Sequence, residues 1–264
     1  MPAKIRLDVA LHARGLCDSR EQARRLIIAG EVTINGQPAS KPGTGVKDDD
    51  VLVIKEKPRF VSRGGFKLAG ALDHFSDELN VDDRRCLDAG ASTGGFTDVL
   101  LRRGASHVVA VDVGYGQLVW ALQSDPRVTV LDRTNIRELT PEQVAPAPSL
   151  VTGDLSFISL RLVLPALVAC AAPDADLLLM VKPQFEVGRE RIGAGGVVRD
   201  PQARLDAVLT VARSAQDLGL GTHGTVASSL PGPSGNVEYF VWLAAGAPPV
   251  REQDVADAVE SGPQ

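Results

Sequence analysis

The segment Leu87-Asp88-Ala89-Gly90-Ala91-Ser92-Thr93-Gly94-Gly95-Phe96 joins an apolar strand signal to an amphipathic helix signal. A glycine-rich turn there lets backbone approach a ligand, and the helix behind it offers free amides. The register is not that of a dinucleotide fingerprint or a P-loop, because the glycines after Gly90 fall four and five positions on and no Lys-Ser/Thr closes the turn. An acid at its start, Asp88, and the absence of Lys or Arg within it suit a cationic nucleotide-type cofactor, S-adenosylmethionine. Asp112, 24 residues beyond Asp88, ends the run Val108-Val109-Ala110-Val111 and is placed to grip ribose hydroxyls. A third run, Val128-Thr129-Val130-Leu131, ends in Asp132-Arg133-Thr134-Asn135, whose polar groups can reach an adenine edge. Cofactor contacts are therefore expected from Asp88, Gly90, Ser92, Thr93, Gly94, Gly95, Phe96, Asp112, Asp132 and Arg133, with helix capping as the alternative role of Ser92 and Thr93.

Ionisable residues end the later apolar runs. Lys182 follows Leu177-Leu178-Leu179-Met180-Val181, where an unpaired ammonium is costly to desolvate, so an acid is expected beside it. Asp154, in Gly153-Asp154-Leu155-Ser156-Phe157, is the natural partner. Glu238 enters an otherwise apolar last strand, and Lys67 lies on the helix ahead of the first. The bland reading of these four is a pair of structural salt bridges. Phe60 and Phe157 are read first as core residues, with stacking on an extruded base as the alternative. The four histidines have no ligand spacing, and no metal is expected.

The elements that must position these groups are strand-like runs at 84–89, 107–113, 128–132, 148–154, 176–181, 222–228 and 237–244, alternating with helical runs. Alternation of this kind predicts an α/β sandwich with a seven-stranded sheet. A short helix is expected at 251–261. Ahead of the sheet, helices from Leu7 to Leu16 and from Ser19, its N-cap, to Gly30 precede a hairpin turning at Asn35-Gly36 and a strand at 51–54. The boundaries read as a small α+β domain at 1–54, a charged linker at 55–60 and a larger domain at 61–264.

Net charge is −5, but residues 1–59 carry 11 Lys/Arg against 8 Asp/Glu, a net +3, leaving 17 against 25, a net −8. An RNA ligand would therefore take many of its phosphate contacts at the N-terminal end. No apolar run approaches the roughly 20 residues of a membrane helix, and Met1-Pro2-Ala3-Lys4-Ile5-Arg6 lacks a signal-peptide core, so the expected location is cytoplasmic without a membrane partner. Cys17, Cys86 and Cys170 are expected to be reduced, packed thiols, and a monomer is favoured.

Gly15-Leu16, Ser19-Arg20, Ala23, Leu26-Ile27, Gly30, Val32 and Asn35-Gly36 resemble the small RNA-binding domain of a ribosomal small-subunit protein and of tyrosyl-tRNA synthetases. That resemblance turns Arg6, Arg14, Arg20, Arg24 and Arg25 toward RNA, with a solvated helix face as the alternative; Arg63 is a further RNA candidate. Lys67, Asp154, Lys182 and Glu238 match, in order and context, the catalytic tetrad of RNA ribose 2′-O-methyltransferases. With the motifs around Arg63-Gly64-Gly65-Phe66-Lys67, Asp112-Val113-Gly114-Tyr115, Lys182-Pro183-Gln184-Phe185-Glu186 and Asn236-Val237-Glu238-Tyr239, the chain resembles the TlyA family, whose members also carry the name haemolysin. The resemblance implies a Rossmann-like class I S-adenosylmethionine-dependent methyltransferase fold and 2′-O-methylation of cytidines in 16S and 23S rRNA, within 30S and 50S subunits. In such a reaction Lys182 orients the hydroxyl and either takes its proton or stabilises the alkoxide. The competing readings are a non-catalytic ribosome-assembly factor and, behind it, a membrane-lytic haemolysin.

Overall fold

The structure is a computed structural model that describes residues 4–55 and 59–262. It divides into two compact units, Met1–Arg59 and Phe60–Gln264. Residues 56–58 of the expected linker lie outside the described residues.

In the first unit, β1 (Ile5–Arg6), α1 (Leu7–Ala13), α2 (Arg20–Ile28), β2 (Val32–Ile34), β3 (Gln37–Ala39), β4 (Gly45–Val46) and β5 (Leu52–Ile54) follow one another. Ser19 caps α2 as expected, its hydroxyl accepting from the Gln22 amide at 3.2 Å. The hairpin of β2 and β3 turns at Asn35 and Gly36, both with positive φ, and β5 completes a three-stranded sheet. The first helix is shorter than its periodicity suggests, because the chain reverses at Gly15. Leu7, Leu11, Ala23, Ile27 and Val32 form the small core.

The second unit contains α3 (Arg63–His74), β6 (Arg85–Ala89), α4 (Gly95–Arg102), β7 (His107–Val111), α5 (Trp120–Gln123), β8 (Val128–Leu131), α6 (Pro141–Val144), β9 (Leu150–Gly153), α7 (Leu164–Cys170), β10 (Asp176–Val181), α8 (Pro183–Glu186), α9 (Pro201–Gln216), β11 (Leu220–Ala227), β12 (Tyr239–Ala245) and α10 (Glu252–Ser261). Its strands order as β11-β12-β10-β9-β6-β7-β8. Pairs from β8 through β10 are parallel, and β12 runs antiparallel between β10 and β11. Because side chains alternate across a strand, Leu87, Val109, Leu179 and Val241 face α7, α9 and α10, whereas Cys86, Val108, Leu178 and Phe240 face α3 and α4. Two apolar layers therefore cover both faces of one sheet. The three cysteines are free and buried. Among the described residues no helix is long and apolar enough to cross a membrane.

Close contact of α3 with α4 is set by glycine. A Cβ at Gly65 would lie 2.5 Å from Phe60 Cβ, and one at Gly95 would lie 2.2 Å from Ser62 Oγ and 2.8 Å from the Gly65 nitrogen. The turn glycine Gly95 thus serves helix packing as well as the mouth of a cavity described below. The Val61 amide adds a bond to Asp98 Oδ2 on α4 at 3.0 Å. We expect Gly65→Ala to lower the unfolding free energy by about 1–3 kcal/mol through overpacking, read as a fall in the thermal or urea midpoint.

Candidate active site

Strand register brings the ionisable residues together at the carboxyl edge of the sheet. Val181 pairs with Tyr239, so Lys182 and Glu238 leave neighbouring strands side by side, and Asp154 follows Gly153 at the end of the adjacent β9. Lys182 Nζ contacts Asp154 Oδ1 at 2.5 Å and donates to Ser156 Oγ at 2.8 Å. The contact with Asp154 is an ion pair without the directionality of a hydrogen bond. Lys67 Nζ donates to Glu238 Oε2 at 2.5 Å, and both side chains are almost wholly buried. The carboxylate expected beside Lys182 is there, and the second lysine pairs with the second acid. Gly232 makes room for that acid: a Cβ on it would stand 2.6 Å from Glu238 Oε1.

Beside the pairs lies a cavity of about 410 Å³, lined among others by Gly90, Ser92, Asp112, Asn135, Asp154 and Phe157. A smaller one of about 90 Å³ shares Gly90, Ser92 and Asp154 with it and adds Thr93, Gly95 and Phe96. A Cβ at Gly90 would sit 2.7 Å from the Asp154 carbonyl oxygen, so only glycine lets the turn pass there. Asp112 braces the floor, with Oδ2 accepting from the Ser92 amide at 2.8 Å and Oδ1 from the Gly114 amide at 2.7 Å. Neither cavity is lined by Lys or Arg, while Asp112 and Asp154 both face the larger one. This donor and charge set fits a cationic nucleoside cofactor. A larger open cleft of about 560 Å³ lies elsewhere, against His74, His223 and Trp242, and includes none of the four paired residues.

Several expected contacts take different places. Asp88 is fully buried beneath the turn, where it accepts from Thr97 Oγ1 at 2.6 Å while its Oδ1 has no partner. It lines neither cavity. Phe96 packs in the core and stacks on Phe240 while lining the smaller cavity, as expected of a wall residue. Gly94 is itself the N-cap of α4, with no side-chain cap, which removes the capping role considered for Ser92 and Thr93. Asp132 accepts from the Gly116 amide at 2.9 Å, and the Arg133 guanidinium lies 4.3 Å from the centre of the exposed Tyr115 ring. Asn135 and Ile136 line the cavity in their stead, together with Gln117, Leu155 and Ile158. Position just beyond a strand end was the available signal for Asn135; the others depend on loop conformations that periodicity does not encode. Phe60 is core, as expected. Phe157 is not: it is 92% exposed, at φ 63°, and tilts against Phe185 with ring centres 5.3 Å apart.

The candidate RNA arginines are unequally free. Asp8, fully buried, binds Arg6 and Arg20, whose guanidinium groups hold its carboxyl below the usual range. Arg14 donates to the carbonyls of Lys47 and Asp50. Arg24 and Arg25 are exposed and share a shallow surface groove with Arg20, Glu21 and Ile28. Arg63, exposed on the second unit, donates to the Pro231 carbonyl at 3.1 Å.

The profile of FtsJ-like methyltransferases matches residues 60–245, over two-thirds of the chain. The chain belongs to the FtsJ-like methyltransferase family. The S4 domain profile matches residues 5–52. This chain is 60% identical over 245 residues to the 16S/23S rRNA (cytidine-2′-O)-methyltransferase TlyA of Mycobacterium tuberculosis, covering 92% of this chain and 91% of that protein. It is 32% identical to the 23S rRNA (cytidine-2′-O)-methyltransferase TlyA of Campylobacter jejuni, covering 85% and 93%. A solved structure of a hemolysin-named protein from Streptococcus thermophilus superposes with a TM-score of 0.74 at 41% identity, covering 98% of this chain and 96% of the other. The methyltransferase sheet with a preceding S4 domain agrees with the fold expected from sequence, and the TlyA resemblance holds.

Burial pushes the Asp88 carboxyl up to about 7, against the Thr97 hydrogen bond and with help from the Asp154 and Asp112 charges. A carboxyl whose folded pKa is raised contributes stability that is complete below its ordinary pKa of about 4 and is lost as pH climbs through about 7. Asp88→Asn should therefore gain on the wild type as pH rises from 5 to 8, by about 2–3 kcal/mol. Urea unfolding of both proteins at the two pH values measures the difference; an equal gap at both would refute it.

Proposed function

We propose that this chain transfers a methyl group from S-adenosylmethionine to the ribose 2′-hydroxyl of cytidine in 16S and 23S rRNA. The observation that carries the reading is the pair of lysine–carboxylate contacts, Lys182 with Asp154 and Lys67 with Glu238, at the strand ends beside a cavity suited to a cationic nucleoside. The 60% identical relative is named for both rRNAs and the 32% identical one for 23S alone, which supports the dual substrate.

Bound there, S-adenosylmethionine would supply an electrophilic methyl on a sulfonium. Gly90, Ser92, Thr93, Gly94 and Gly95 form the turn that would receive it; Asp112 would accept from ribose hydroxyls and Phe96 would line the smaller cavity, while Asp132 and Arg133, which hold Gly116 and Tyr115, would support the loop that brings Gln117 to the wall. Asp88 acts from below, its unpartnered Oδ1 adding negative potential under the turn when ionised. Lys182, aimed by Asp154 and Ser156, would face the 2′-oxygen; the Lys182–Asp154 pair orients the hydroxyl and takes its proton, or steadies the negative charge developing on the oxygen, as the oxygen–methyl bond forms and the methyl–sulfur bond breaks to leave a neutral thioether. Lys67 and Glu238 fix the neighbouring wall. Phe157, exposed at the cavity edge, offers a stacking surface to the target base. Arg24 and Arg25, with Arg6, Arg14 and Arg20 of the same unit, contact phosphates, as does Arg63 of the second unit. Positioning supplies a large share of the rate.

The test is incorporation of radiolabelled methyl into purified 30S and 50S subunits that lack the modification. Wild type is expected to label both. Lys182→Ala is expected to lose at least about 100-fold in rate, as for removal of one acid–base or charge-stabilising group. Labelling of neither subunit, with cofactor binding intact, would overturn the reading.

A further inference from the structure

The loop between β9 and α7 carries Asp154, Ser156 and Phe157, and the short turn α8 holds it at both ends. At its first end, Lys182, the residue just ahead of α8, contacts Asp154 and Ser156. At its far end, Glu186, the last residue of α8, reaches across: Oε2 accepts from Ser159 Oγ at 2.5 Å and Oε1 from the Leu160 amide at 2.7 Å. The Glu186 side chain is 1% exposed, and Arg161 Nε approaches it at 3.8 Å while donating to Ser159 Oγ at 3.3 Å. Between the two anchors Phe157 is held at positive φ, in a backbone conformation that costs an L-residue of its bulk free energy and persists only where surroundings over-determine it. Phe185, also on α8, supplies the third contact through its ring. Four groups of the site thus depend on the four-residue α8 and the residue that precedes it: the lysine, its acid, the hydroxyl that aims it and the exposed aromatic ring.

We infer that Glu186 is a positioning residue for methyl transfer: a buried carboxylate clamp that fixes the 154–160 loop so that Asp154 and Ser156 aim Lys182 and Phe157 stays presented. The inference rests on the proposed reaction at this same site. Glu186 touches none of the reacting groups and acts through Ser159 and Leu160. A glutamine can keep the Leu160 bond through its oxygen, but its nitrogen would compete with the Arg161 amide and guanidinium for Ser159 Oγ, so it restores the clamp only in part.

Glu186→Ala, Glu186→Gln and Ser159→Ala separate the clamp from simple loss of fold. Hydrogen–deuterium exchange over residues 155–162 and single-turnover methyl transfer to 50S subunits are measured on the full chain. Glu186→Ala should speed exchange in this segment and slow transfer by about tenfold or more, the cost of misplaced reacting groups. Glu186→Gln, which keeps the Leu160 bond, should recover part of both losses. If Glu186→Ala does not fold, Ser159→Ala, which removes one of the two bonds, should move both readouts in the same direction by less. The clamp is overturned if wild type is active and either readout is unmoved in the folded variants, or if glutamine is as damaging as alanine. A wild type inactive on rRNA alongside faster exchange in Glu186→Ala would instead sink the proposed reaction and leave the clamp standing as a structural device.

Discussion

Lys67 and Glu238 can be buried only together. Each alone would be a desolvated charge, and removing one partner of such a pair is far more damaging than the pair is stabilising. Their contact therefore constrains everything that brings them within reach. Glu238 arrives because β12 inserts antiparallel between β10 and β11, beside the strand that delivers Lys182. Lys67 arrives because α3 lies against α4 at a separation only glycine allows. The Lys182–Asp154 pair is half-open by comparison, with Asp154 partly exposed toward the cavity. One pair fixes the scaffold, and the other is left free to meet a substrate.

Much of this was legible in the residues. The seven strands fall where apolar runs predicted them, and a lysine after five apolar residues announced its acid, because desolvation makes the alternative costly. Strand order was not legible, since period-two alternation says which residues face a core but not which strand lies next to which. The same gap explains Phe157. Its aromatic character argued for burial, yet its backbone conformation, imposed by a loop anchored at both ends, turns it outward. Glu186 was passed over because its importance lies in bonds to residues 26 and 27 positions earlier in the chain. Asp132 and Arg133 are also polar residues at a strand end, but the turn carries Asn135 and Ile136, rather than these two, to the cavity.

Charge counting at the N-terminal end also needed the structure. A net of +3 pointed to phosphate contacts at this end without saying which arginines are open, and Asp8 sits fully buried between Arg6 and Arg20 and shares their charge. Two arginines are thereby committed to holding β1, α1 and α2 together, and Arg14 is tied to loop carbonyls. The open electrostatic footprint narrows to α2, with Arg24 and Arg25 outermost.

The segment from Phe60 to Lys67 precedes the first strand of the sheet, yet Phe60 is core, Val61 is bonded to α4, Gly65 abuts the turn and Lys67 neutralises Glu238. In a modular view of the fold these residues look like a leader to the methyltransferase unit; physically they are one of its walls. An excision that begins at β6 would leave Glu238 buried without a counter-ion and α4 without its cover. Recombination of this unit with other N-terminal modules is accordingly possible only at a junction upstream of Phe60, so the same packing that builds the site also dictates where the gene can be cut.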